Sequence, residues 1–257
     1  MNTTKGSLVP VLPSPPFDAS LSVRARQAFE DHGVREQRGN WAFCECGSAM
    51  VVKDRSAHLR DVIRQAGVAL ITDKQVYRLT AGIEALLAEL VQEMTPEEFQ
   101  QDGPRMLATR HIVHGARHLF GVPCAESGLI GPDDGTDLVA LTKDVLDEHE
   151  ALSLTLPEGS DLPDVSCACG EVVPGAAHGE HAVVSLFRRG VLLVDHEVTT
   201  NVLGRLCLSV RVWDLLCGSG KSVPGIPLFP DDYSQRLHEL AEYTEFIRDE
   251  LAIPPSE

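Results

Sequence analysis

The chain has 257 residues and a formal net charge of −16, with 43% apolar, 23% charged and only 5% aromatic residues. That balance suits a globular protein with a core built mainly from Leu, Val, Ala and Ile. It counts against a nucleic-acid partner, which would draw on Lys and Arg to displace counterions from phosphates. No apolar run nears the roughly 20 residues of a membrane-spanning helix.

Residues 1–17 are rich in Pro, Ser and Thr and lack a signal-type apolar core, so they read as a flexible leader on a cytoplasmic protein. A first unit is expected over 18–96. Leu21, Ala25, Phe29 and His32 recur at helical spacing, and Trp41–Cys44 and Ala49–Val52 can form a hairpin around Gly47. Asp54 or Ser56 could cap a helix through His58, Leu59, Val62 and Ile63 that ends at Gly67. Thr72 and Gln75 form a capping-box pattern for a helix with Ile83, Leu86, Leu87, Leu90, Val91 and Met94 on one face. Residues 97–135 read as a linking helix and loop.

A second unit is expected over 136–221. Leu138, Leu141, Val145 and His149 share a helix face, and Val202, Leu203, Leu206, Val210 and Trp213 repeat the later rhythm. Residues 222–257 carry eight carboxylates against Arg236 and Arg248 and form an acidic helix with Leu237, Leu240, Ile247 and Leu251 inward. The fold class predicted is mainly α with small β-hairpins (α+β), as a tandem repeat of a helix–hairpin–helix–helix unit.

The repeat rests on an ungapped match. Cys44–Ile71 aligns with Cys167–Val194 over 28 columns with seven identities: both cysteines, the next Gly, a His, a Gly-Val pair and a Leu. Cys and His at fixed separation are seldom matched by chance, and such self-similarity decides the architecture. Each unit then offers two thiols and two imidazoles: His32, Cys44, Cys46 and His58, and His149, Cys167, Cys169 and His181. Thiolate with imidazole suits a closed, tetrahedral structural Zn²⁺ site, and thin cores of this size gain from such a staple. Several alternatives stay open: His178 for His181, Glu148 or Glu150 for His149, a redox dithiol, or reduced cysteines kept for packing. Cys207 and Cys217 read as buried thiols in a helix, and Cys124 carries no assignment.

Other constellations are weaker. His111, His114 and His118 share a helix face, but no HExxH pattern accompanies them. Gly218–Ser222 resembles the end of a phosphate-binding loop, yet Leu215 occupies the first glycine position and Pro224 follows, so it is rejected. There is no GxSxG elbow and no dinucleotide fingerprint.

The pattern of a helix ending in His, a CxCG turn and a helix-borne His resembles small uncharacterised proteins of actinobacteria and their bacteriophages. The 17 Arg against 5 Lys fit a GC-rich genome of that kind. The resemblance implies the eight ligand positions above and no established chemistry.

The function expected is a non-enzymatic protein-binding or scaffold protein with two zinc-stabilised units, acting on a protein partner or by self-association. Two alternatives are a regulator that contacts or mimics DNA, and a metal-dependent hydrolase built on His111, His114 and His118.

Overall fold

The computed structural model describes residues 18–122, 126–132, 135–158, 162–218 and 231–251. The leader, Cys124, the segment 219–230 with most of the phosphate-loop-like motif, and the side chains of Trp213 and Cys217 lie outside the described residues.

The chain opens with α1 (Ala19–Asp31), three short strands β1 (Val34–Arg38), β2 (Trp41–Cys44) and β3 (Ala49–Val51), then α2 (Arg55–Gln65), β4 (Val68–Thr72) and α3 (Asp73–Glu93). After α4 (Pro96–Leu119) the same order returns: α5 (Leu138–Glu148), β5 (Ala151–Thr155), β6 (Asp164–Cys167), β7 (Val172–Pro174), α6 (His178–Phe187), β8 (Val191–Asp195) and α7 (His196–Gly218). Helix α8 (Asp231–Leu251) follows. The protein is mainly helical with small antiparallel sheets, as its composition and periodicities predict.

Two of the sheets are three-stranded, in the orders β1-β2-β3 and β5-β6-β7. Each therefore has one strand more than the predicted hairpin. Their registers correspond: Gln37 faces Ala42 as Leu154 faces Val165, and each outer strand has an irregularity near its start. The third sheet joins the two stretches. Strands β4 and β8 pair antiparallel with Leu70 opposite Leu193, so the two Leu of the aligned segments sit at the centre of one ribbon. Matching backbone bonds close its ends: the Asp73 N–H donates to Gly190 O and the His196 N–H to Gly67 O.

The ribbon divides the core because alternate residues of a strand point to opposite faces. Val68, Leu70, Val191 and Leu193 face a cluster from α1, α2, α5 and α6 that includes Phe29, Ile63, Leu146 and Leu186. Ala69, Ile71 and Leu192 face a second cluster from α3, α4, α7 and α8 that includes Leu79, Ile83, Leu206 and Ile247. The result is a helix–ribbon–helix sandwich, and each core draws on both stretches of sequence. Within it α1 packs on α6, and α2 on α5.

The local signals read from sequence meet mixed outcomes. Thr72 and Gln75 form both bonds of the capping box, the Thr72 N–H donating to Gln75 Oε1 and the Gln75 N–H to Thr72 Oγ1. Asp54 takes the N-cap position of α2, but its side chain makes no cap bond, and the Ser56 hydroxyl donates to Asp137, the N-cap of α5. A 3₁₀ turn, Val52–Asp54, leads into α2 instead. On α3, Ile83, Leu86, Leu87 and Leu90 are buried as predicted, while Val91 is exposed at the margin of the apolar stripe. Leu237, Leu240, Ile247 and Leu251 of α8 are buried as expected.

Because Ile71 is buried in the ribbon and Val198 is exposed on α7, their truncation should separate ribbon from surface. Ile71→Ala should cost about 2–5 kcal/mol in denaturant unfolding, and Val198→Ala should stay within about 0.5 kcal/mol.

Candidate metal centres

Each quartet is assembled from a helix end, a strand end and the start of the next helix. His32 is the C-cap residue of α1, and His149 holds the same place on α5. Cys44 and Cys167 end β2 and β6. A single residue between cysteines in extended chain would aim the thiols apart. Here the chain turns instead: the Gly47 N–H donates to Cys44 O at 3.0 Å and the Gly170 N–H to Cys167 O at 2.9 Å. The glycines take φ of +88° and +91°, a left-handed conformation that a residue with a Cβ adopts only at a cost. Each turn is pinned to the preceding helix end by a backbone bond, Glu45 N–H to Gly33 O and Ala168 N–H to Glu150 O. His58 and His181 are the fourth residues of α2 and α6 and point back at the turn.

Within each quartet the four donor atoms all lie within 4.8 Å of one another. In the first, His32 Nδ1 is 3.2 Å from His58 Nε2 and 3.7 Å from Cys44 Sγ, and Cys46 Sγ is 3.8 Å from His58 Nε2. In the second, His149 Nδ1 is 3.0 Å from His181 Nε2 and 3.6 Å from Cys167 Sγ, and Cys169 Sγ is 3.3 Å from His181 Nε2. A tetrahedral Zn²⁺ with ordinary bond lengths would space its ligands by about 3.4 Å between nitrogens and about 3.6 Å between sulfur and nitrogen. The sulfur–nitrogen separations bracket their edge, the nitrogen–nitrogen separations fall a few tenths of an ångström short of theirs, and both quartets present the same nitrogen of each histidine. The donor set therefore fits a four-coordinate cation with an affinity for thiolate and imidazole.

The electrostatics agree with that fit. Cys44 and Cys167 are each 2% exposed, and burial pushes both thiols up from their ordinary range. The partners Cys46 and Cys169 are exposed. Cys46 is lowered to about 6, chiefly by the Ser48 hydroxyl, whose Oγ lies 3.3 Å from its sulfur, and then by the Ser48 N–H. Burial, and then the neighbouring His181, hold His149 below the usual imidazole range. Each buried group thus resists a charge of its own, and a cation shared among the four offsets that resistance.

The surroundings of the two quartets differ. Glu171 lies after the turn glycine at the place of Ser48, and its carboxylate is 3.7 Å from His181 Nδ1, the nitrogen turned away from the sulfurs. At that distance the carboxylate is beyond hydrogen-bond reach and acts on the imidazole through its charge. Nothing in the spacing pattern marked Glu171, although its position directly after Cys-x-Cys-Gly was visible.

The other candidates stand elsewhere. His178 lies outside the quartet near the carbonyl of His149, and burial lowers its pKa. Glu148 pairs with Arg189. His111, His114 and His118 are all exposed on α4, with His114 3.6 Å from Glu84, an acid that Arg117 holds at 2.6 Å. Among the described residues the convergent groups are the two quartets, and the three α4 histidines belong to neither. Cys207 is buried in the α7 core, which pushes its thiol up to about 12, the inert state of a packing residue. Comparison with protein-family models, with curated proteins and with solved structures gives no match.

Glu171→Gln keeps all four donors of the second quartet. It should weaken cation binding there by roughly tenfold, the low end of such effects because Glu171 is itself exposed, and leave the first quartet unchanged. Competition with a chromogenic chelator, titrated on wild type and variant, resolves the two affinities.

Proposed function

We propose that the chain is a tandem repeat whose two units each hold one structural Zn²⁺, and that it works as a non-enzymatic binding or scaffold protein. The observation that carries this reading is the closed donor set: two thiols and two imidazoles converge twice, through the same atoms, at tetrahedral spacing. Four protein donors fill a tetrahedral ion, leaving no position for the water or substrate that a catalytic zinc keeps open. Each ion would staple a helix C-terminus, a turn and a helix N-terminus to one another. The identical order of elements and the ribbon centred on Leu70 and Leu193 support the repeat. The exposed, scattered α4 histidines offer less to a hydrolytic reading.

Native mass spectrometry should find two zinc ions per chain. Cys44→Ser and Cys167→Ser should each lose one ion and at least about 3 kcal/mol of stability, lowering the melting temperature by roughly 6–12 °C. Chelation should lower the unfolding midpoint in step with metal loss. Wild-type melting temperature and metal content in both variants would overturn the reading.

A further inference from the structure

The two small sheets share strand order and register, so each serves as a control for the other. Their outer strands differ in one respect. At positions where β1 carries Arg35 and Gln37, β5 carries Leu152 and Leu154, and the row continues to Leu156. These three leucines are 66%, 67% and 67% exposed, and Leu162, on the returning arm of the same hairpin, is 64% exposed. The sheet does not need them to fold, since β1 holds its place with polar residues. Beside them, β5 is an edge strand whose outward N–H and C=O groups have no strand partner among the described residues. An uncovered, apolar edge is an association site unless something blunts it. Charged residues blunt the β1 edge, and none lies within Ala151–Thr155.

We infer that the β5 edge is where two copies of this chain meet, the strands pairing antiparallel across a two-fold axis and the leucine rows packing together. Antiparallel pairing of a strand with itself is the self-complementary contact that a two-fold dimer requires. Charge selects the place. Copies that each carry −16 repel over most of their surfaces, and β5 is a stretch on which they can approach without setting carboxylate against carboxylate. Size is adequate too. The four leucines expose on the order of 450 Å² per copy, so with the paired main chain a dimer would bury roughly 1,000 Å², the lower bound of a specific interface. The inference rests on reading the protein as a binding molecule, and it names the partner as a second copy. The metal sites are not required to differ between monomer and dimer.

Sedimentation velocity of the full zinc-loaded chain, from about 1 to 200 µM, should show a monomer–dimer equilibrium of roughly micromolar strength. The variant L152R/L154Q installs the residues that the first sheet carries at the same register. It should weaken dimerisation at least about 100-fold while keeping the wild-type metal content and melting temperature of the monomer. As a second readout on unmodified protein, β5 amides should exchange more slowly at the high concentration than at the low one, with β1 amides unaffected. A wild-type chain monomeric throughout, or a dimer of unchanged strength in the variant, would overturn the inference. Either result with two zinc ions still bound would leave the metal reading standing. Failure of metal binding with the dimer intact would do the reverse.

Discussion

The arrangement depends on the pairing of β4 with β8. Five residues on each side exchange backbone bonds, and all of Val68–Thr72 is buried. A buried strand cannot leave its N–H and C=O groups unpaired without a penalty comparable to a lost hydrogen bond for each. The segment after Gly67 and the segment after Gly190 therefore need one another, although 123 positions separate them. Once paired, their two faces define two cores, and every long helix has a side on which to lay its apolar stripe. Neither stretch can bury its strand alone, so the two should unfold together rather than as separate beads.

The quartets lie at the ends of helices packed in one of these cores. They lie beside thin sheets whose outer strands are exposed along their whole length, and they gather three chain segments each. What they do have is precise backbone placement. Each leading His closes a helix, each Cys pair rides a turn fixed by three main-chain bonds, and each trailing His sits in the first turns of a helix packed on the core. Donor atoms held this way are preorganised, so a cation need not order them at its own expense. The core thus positions the sites, and a bound ion would in turn hold the peripheral sheets against it.

Much of this was open to a reader of the sequence, and the division has physical reasons. The eight donors could be found because Cys, His and Gly at fixed offsets mark a turn and a helix start in both stretches, and the structure brings each four together. The amphipathic helices could be found because a 3.6-residue period survives along α3, α5 and α8. The ribbon could not. Val68–Ile71 and Val191–Val194 are short apolar runs with no period, since both faces are buried, and a run of that kind reads equally as a turn into the next capping box. Strand β1 was hidden for the opposite reason: Val-Arg-Glu-Gln-Arg is exposed on both faces and carries no alternation. Asp54 marked the start of α2 correctly, but a 3₁₀ turn leads into the helix there and its side chain makes no cap bond, while the Ser56 hydroxyl is held by Asp137.

On the tandem-repeat reading, the most informative positions are those where the two stretches disagree. What a metal site and a shared ribbon demand has stayed alike: the four donors, the turn glycine, the glycine before each strand, and the central leucines. What faces outward has not. Ser48 beside one cysteine answers to Glu171 beside one histidine, and Arg35 with Gln37 answers to Leu152 with Leu154. A repeat kept only for stability would tolerate drift at exposed positions toward any polar residue. Drift toward a row of exposed leucines carries an aggregation risk, and a protein at −16 net charge has the means to suppress it. On the reading proposed above, that row on one sheet and charge on the other would give the halves different roles: a common metal-stapled scaffold, with the β5 edge turned to association and the β1 edge solvated.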